Sequence, residues 1–327
     1  MTALMDGIKA NNFVIIGRAG MDFFPDPAGT KTEEGEVFRS GLGGSSANIG
    51  AGICKLGGKA ALVTRVSDDS IGRYCINQLN NYGVDTAHVT PIGGEYRNSL
   101  AVYESRIEDH QTVIYRNGAA DFQMDIADVE AVDYAKYGAL ITAGTVFAAE
   151  PSRAATFHAF DLAKKAGVPI IFDVDYRPYS WPSAQVAEDV LSRAANQCDM
   201  IVGNDEEFGF MAGSIDKGLE KARSLSQSTA TIVVYKMGPE GAITFAEGQE
   251  IRTGIYPVDA LKPTGAGDSF MAGLMTSLAG GHNLKTAILR GSACASVTVS
   301  KPGCAPAMPD TATLETFLAD HPGATTI

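Results

Sequence analysis

The sequence predicts an α/β fold: a three-layer sandwich with a mostly parallel central sheet and a small inserted β lid, as one domain over residues 1–327. Three observations carry this. Six short apolar runs recur along the chain, helical stretches, several ending at glycine, lie between them, and two segments instead alternate apolar with polar residues. Unbroken apolar runs of four to eight residues suit strands buried on both faces. Strand–helix alternation argues for a parallel sheet covered on both sides.

The runs are FVIIG (13–17), AALVTRV (60–66), ALITAG (139–144), PIIFDVD (169–175), MIVGN (200–204) and TIVVYKMG (231–238). The helical stretches are SANIGAGICKLG, DSIGRYCINQLNNYG, SRAATFHAFDLAKKAG and DKGLEKARSLSQ. Glycine just past a helix supplies the left-handed residue that stops it. EGEVFRSGLGG (34–44) and RNSLAVYESRIEDHQTVIYRNG (97–118) have the period of half-exposed antiparallel strands and predict the lid. The lid's free apolar face could pair two copies into a homodimer. Ligands of open α/β sheets bind beyond the carboxyl ends of the strands. The polar residues there are Arg18 and Asp22, Asp173 through Arg177, Asn204 with Glu207, and Lys236.

Charge and cysteine usage narrow the class. A net charge of −12 excludes nucleic acid and anionic membrane surfaces as general partners, and obliges any anionic substrate to find a local basic pocket. Five cysteines without CxxC spacing read as reduced residues of a cytoplasmic protein, and five scattered histidines offer no metal-ligand pattern. The expectation is a protein without signal peptide or membrane span.

The chemistry concentrates in KPTGAGDSFMAG (262–273). Gly265 and Gly267 permit tight turns and close approach of another molecule, and the helix that follows offers unpaired N–H groups to an anion. A carboxylate beside such a cradle suits movement of a phosphoryl group; the plainer alternative makes Asp268 a helix cap. GxxxxGK[ST], a complete GxGxxG, HRD and DFG are all missing, which excludes the P-loop and protein-kinase solutions and disfavours the dinucleotide fold.

GLGGSSANIGAGICKLGGKAALVTRVSDDSIGRYCINQLNNYGVDT resembles the first signature of the ribokinase-like (PfkB) sugar kinases, and KPTGAGDSFMAGL resembles the second; the similarity runs from about Phe13 to Pro309. The resemblance implies an ATP-dependent kinase with Mg²⁺. In it, Asp268 takes the proton of the attacking hydroxyl, and the N–H groups of Gly265, Ala266 and Gly267 form the anion hole. Asn204 and Glu207 match the NxxE motif that places magnesium through water; without GAGD, Glu207 would read as a solvated helix carboxylate. Lys236, Gly238 and Gly241 match the nucleotide-side turn, and Cys294 the adenine pocket. Asp22, Gly43, Gly44 and Asn48 match positions that bind sugar hydroxyls, although Asn48 also reads as a helix-start cap.

FDVDYRPYSW (172–181) is similar to the DxNxRxxLW run of family members that act on acidic sugars, where Arg177 would hold a carboxylate or a phosphate bidentately. With GRAGMD and the Lys-Pro pair before GAGD, this implies 5-dehydro-2-deoxygluconate of myo-inositol breakdown as the acceptor. Kinases of 2-keto-3-deoxygluconate, fructose or ribose, and an inactive sugar-binding regulator, stand as alternatives. Arg18, Arg106 and Lys262 add positive charge near that acceptor. Lys262 replaces the aspartate that many family members use to help hold potassium. Its ammonium either substitutes for the ion or points outward to the substrate, and in both cases potassium is not required.

Overall fold

A computed structural model describes residues 1–325. Among these residues thirteen strands form two sheets. The main sheet contains β1 (Asn12–Ile16), β4 (Lys59–Ser67), β5 (Asp85–Ile92), β8 (Ala139–Ala143), β9 (Ile170–Asp173), β10 (Met200–Asn204), β11 (Ile232–Lys236), β12 (Ala242–Ala246) and β13 (Gln249–Thr253), in the order β13-β12-β11-β10-β9-β8-β1-β4-β5. Every pairing from β11 to β5 is parallel, whereas β12 and β13 at one edge join antiparallel, β12 to β11 and β13 to β12.

The helices are α1 (Thr2–Ile8), α2 (Ser45–Lys55), α3 (Ser70–Tyr82), α4 (Ile126–Glu130), α5 (Ser152–Lys165), α6 (Ala184–Ala195), α7 (Asp205–Met211), α8 (Gly218–Ser228), α9 (Ala266–Ala279), α10 (Leu284–Val299) and α11 (Thr311–Asp320). Successive side chains of β1 point to opposite faces, so Val14 and Ile16 join the core under α4, α5, α6 and α8, while Phe13 and Ile15 join the core under α1, α2, α9 and α10. All four are fully buried, which is why the run shows no polar alternation. Local signals set the helix ends: the Asp69 side chain caps α3 by accepting from the N–H groups of Ile71 and Gly72, and Gly83 ends it in the left-handed conformation.

The second sheet is the lid: β3 (Phe38–Gly43), β2 (Gly20–Pro25), β6 (Leu100–Tyr103) and β7 (Thr112–Tyr115), in that order. Both predicted lid segments contribute, but the strand between them in space, β2, has no counterpart in the sequence reading. GMDFFP is covered on both faces and does not alternate. Its position matters, because Asp22 pairs with Gly41 on one side and Ala101 on the other. The chain leaves β1 for the lid and α2, builds outward to β5, then crosses back to β8 on the other flank of β1. That reversal places the site at the carboxyl ends of β1, β8, β9, β10 and β11, beneath the lid.

Candidate active site

Register fixes the floor of the site. Asn204 and Lys236 are partners at the ends of β10 and β11, Val202 pairs with Asp173, and Asp173 pairs with Ala143. Four neighbouring strands therefore deliver Lys236, Asn204, Asp173 and the Gly144–Thr145 turn along one edge. Asn204 and Glu207 form a capping box at the start of α7, each side chain accepting the other's backbone N–H, at 2.8 and 2.7 Å. One oxygen of each is thereby used, and Asn204 Nδ2 and Glu207 Oε1 have no hydrogen-bond partner among the described residues. Glu207 is buried, not the solvated helix carboxylate of the plain reading, and burial raises its pKa.

The catalytic candidates stand opposite, at the first turn of α9. Gly265 is the N-cap in the left-handed region, φ 84°, a conformation that a side chain would strain. Half-buried Asp268, the third residue of the helix, accepts a 2.8 Å hydrogen bond from Asn48 Nδ2 on α2. Its pKa is pushed up to about 7, first by burial and then by the charge of Asp175; the Asn48 hydrogen bond, Arg177 and Lys236 pull the other way. Lys236 Nζ lies 3.4 Å from where a Cβ on Gly267 would sit, so its ammonium faces the helix start from the sheet side. A cation and the N-terminal turn of α9 thus converge, an arrangement suited to an anion. Gly238 and Gly241 bound the turn between β11 and β12.

The lid side supplies unpaired acceptors. Asp22 is 4% exposed, its Oδ1 has no hydrogen-bond partner among the described residues, and burial raises its pKa to about 6 against the opposing pull of Arg18. Gly43 must lack a side chain, because a Cβ there would lie 1.8 Å from that same oxygen. Gly44 starts α2, where a Cβ would meet the Arg18 carbonyl. Asn48 Oδ1 is also buried and has no partner among the described residues. Such groups cost stability unless a ligand satisfies them.

A basic cluster adjoins these acceptors. Arg18 is 8% exposed, donates to Ser99 Oγ at 2.8 Å, and has no ion pair among the described residues. Arg177 is 45% exposed and pairs with Asp175 at 2.8 Å. Arg116 is buried, donates to Asp121 and to the Thr145 carbonyl, and lies 4.0 Å from the centre of the Phe122 ring. The sequence reading passed over Arg116 and Thr145 and weighed Asp173 and Asp175 only as polar residues of a strand end. For Asp175 a signal existed: the DxNxR pattern has asparagine where this chain has aspartate.

Three candidates are placed elsewhere. Lys262 is 0% exposed and not turned toward a substrate; its ammonium donates to the Thr264 carbonyl at 2.5 Å and the Thr298 carbonyl at 3.3 Å. Lys262 binds no acceptor because backbone carbonyls behind the GAGD turn hold it. Arg106 sits in the turn after β6, donating to the Glu108 carbonyl and lying 3.8 Å from Glu104, so it belongs to the lid's own frame. Cys294 does not line an accessible pocket: it is fully buried on α10, where Gly273 of α9 leaves room for its sulfur. All five cysteines are free thiols.

Among the described residues no group of three or more His, Cys, Asp and Glu side chains is arranged to hold a metal, and no helix is long and apolar enough to cross a membrane. A ribokinase-like three-layer fold, with a carboxylate at a glycine-bounded helix start and a lid above it, defines a phosphotransferase acting on small hydroxylated acceptors. Residues 10–311 match the family model described as pfkB family carbohydrate kinase, and the chain belongs to that family; it is a carbohydrate kinase. It is 35% identical to the 5-dehydro-2-deoxygluconokinase of Geobacillus kaustophilus over 97% of this chain and 96% of that one. With the enzyme of the same name from Photobacterium profundum the identity is 34%, over 93% and 94%. Among solved structures, the PfkB protein of Polaromonas sp. is 26% identical with a TM-score of 0.78, covering 90% of this chain and 98% of that one. A Vibrio cholerae fructokinase, solved with fructose, ADP and calcium ion bound, is 25% identical with a TM-score of 0.82, covering 94% and 99%.

Proposed function

We propose that the chain transfers the γ-phosphoryl group of ATP to the hydroxymethyl group of an acidic keto-sugar, 5-dehydro-2-deoxygluconate. The observation that carries the acidic acceptor is Arg18: a buried guanidinium with no ion pair among the described residues, its charge acting on the buried Asp22 carboxylate. A buried unpaired charge is costly, and a substrate carboxylate would offset that cost. Arg177 and Arg116 would extend the same basic wall. Asp22, Asn48 and the backbone at Gly43 and Gly44 would bind acceptor hydroxyls.

Asp268 would take the proton of the attacking hydroxyl as that oxygen bonds to the γ-phosphorus and the bond to the ADP oxygen breaks. Transfer through a loose transition state asks mainly for positioning and charge stabilisation. The N–H groups of Gly265, Ala266 and Gly267 would hold the transferring group, and Lys236 with the turn at Gly238 and Gly241 would hold the nucleotide phosphates. Asn204 and Glu207 have the hard oxygen chemistry and spare polar atoms to orient waters around Mg²⁺. Bound magnesium supplies neutralisation of phosphate charge. The Lys262 ammonium stands in for a monovalent cation behind the GAGD turn, so potassium is not required.

The cytoplasm is the proposed compartment, supported by the free thiols. The whole chain is proposed to act as one domain. A homodimer through the lid is supported by Val37, Phe38, Val113 and Tyr115, which are exposed on or beside its strands. A sedimentation experiment returning only monomer would remove the dimer. A coupled ADP-release assay over 5-dehydro-2-deoxygluconate, 2-keto-3-deoxygluconate, fructose and ribose tests the main reading. Preference for a neutral sugar would overturn the acidic acceptor while leaving the kinase in place.

A further inference from the structure

Asp175 is placed in no role above, yet its geometry is unusual. Its backbone has φ 35°, in the left-handed region that non-glycine residues enter rarely and at a cost. That conformation turns the chain just past the end of β9, so residues 173, 175 and 177 all reach the site edge. The Asp175 carboxylate is 6% exposed; Oδ1 takes the Arg177 guanidinium at 2.8 Å, and Oδ2 accepts from Thr145 Oγ1 at 3.2 Å. A cap or turn could be made by a neutral asparagine, which tolerates this φ equally well. The charge itself therefore calls for a role.

We propose that Asp175 is a positioning residue for phosphoryl transfer: it anchors Arg177 beside the acceptor and holds a fixed negative charge facing Asp268. The proposal rests on the kinase reading with Asp268 as base. Ion pairing restricts a long, 45% exposed arginine to one direction, so less freedom is lost when the acceptor binds. The charge makes Asp268 more basic, since a neighbouring like charge disfavours ionisation. The charged and titratable groups that act on Asp268 are Asp173 at the end of β9, Asp175 beyond it, Arg177, Lys236 from β11, Lys262 ahead of α9 and Cys304 beyond α10. Of these, Asp175 is the largest charge contribution to Asp268.

The test compares wild type with Asp175→Asn and Asp175→Gly, both compatible with positive φ, in pH profiles of kcat/KM with ATP. The expected result in each variant is an acid limb moved to lower pH by on the order of one unit. In each, KM for the acid acceptor should also rise on the order of tenfold, against little change for its neutral alcohol analogue. An acid limb that stays at the wild-type pH, with activity lost evenly across the profile, would overturn the proposal. So would failure of both variants to fold, since Asp175 would then serve the fold alone. Wild type is assayed first with the four-sugar panel. If the acid is not turned over, the substrate assignment fails by itself, and the limb is read with whichever sugar reacts, because it belongs to Asp268.

Discussion

Replacing Lys262 by methionine probes the buried cation behind the catalytic turn. The side chains are similar in length, so the change removes mainly the charge and its donors. The ammonium reaches the Thr264 carbonyl at 2.5 Å and the Thr298 carbonyl at 3.3 Å, tying the GAGD turn to the end of α10. Hydrogen bonds to charged groups contribute about 1.5–3 kcal/mol each, and the second of these is long. Desolvation, which lowers the pKa of Lys262, opposes part of that gain. The net loss is on the order of 2 kcal/mol, or a fall in Tm of roughly 3 °C for a chain of this size. Thr264 precedes the N-cap Gly265, so loss of the charge also weakens the field at the first-turn N–H groups. Turnover should fall roughly 10- to 100-fold, less than removal of an oxyanion-hole donor costs at its upper end. The assay is coupled ADP release in potassium chloride and in tetramethylammonium chloride at equal ionic strength. Wild type should be equally active in both. Strong activation of wild type by potassium, or undiminished turnover in Lys262→Met, would refute the reasoning.

Asp268→Asn should keep ATP affinity and lower kcat by about 100- to 10,000-fold; near-normal turnover with the correct sugar would remove Asp268 from the mechanism. Arg177→Lys should raise KM for the acid acceptor far more than for its neutral alcohol, and equal losses would assign Arg177 to phosphate instead. Ligand-free stability should rise as pH falls from 8 toward 5. Asp22 and Asp268 have pKa values raised to about 6 and about 7 by burial, so the folded state binds more protons than the unfolded chain across that window. The stability they confer is complete below their unfolded pKa near 4 and is lost as pH rises through 6 and 7. Carboxylates with lowered pKa, such as Asp69 and Glu315, titrate below this range. A thermal-unfolding series that shows greater stability at pH 8 would contradict the burial of these two groups.

The legible parts of the site were those specified by neighbours in sequence. GAGD announces a glycine N-cap and a carboxylate on the first helical turn because turn and helix start are local events. NDEE announces a cap for the same reason, and as a capping box its two residues are bound to each other whatever else they do. Arg116 gave no such signal, since nothing in YRNG tells that Asp121 and the Thr145 carbonyl will bury its charge. The strand β2 was hidden because alternation reports one wet face, and this strand has none. Cys294 failed as a pocket residue because a thiol in an apolar helix looks alike whether its face meets a ligand or the missing side chain of Gly273.

By itself the sequence determined the layers, the crossovers, the lid segments and the glycine-bounded catalytic turn, all of which follow from hydrophobic period and backbone freedom over a few residues. Tertiary structure decided the rest. It brought Asn48 to Asp268 across 220 residues, turned Lys262 inward onto the Thr298 carbonyl, left Arg18 with no ion pair among the described residues and set Asp175 against Thr145. Those outcomes depend on which strands lie side by side and how much water each group retains. Desolvation and charge compensation are summed over neighbours in space, and spacing along the chain does not encode them.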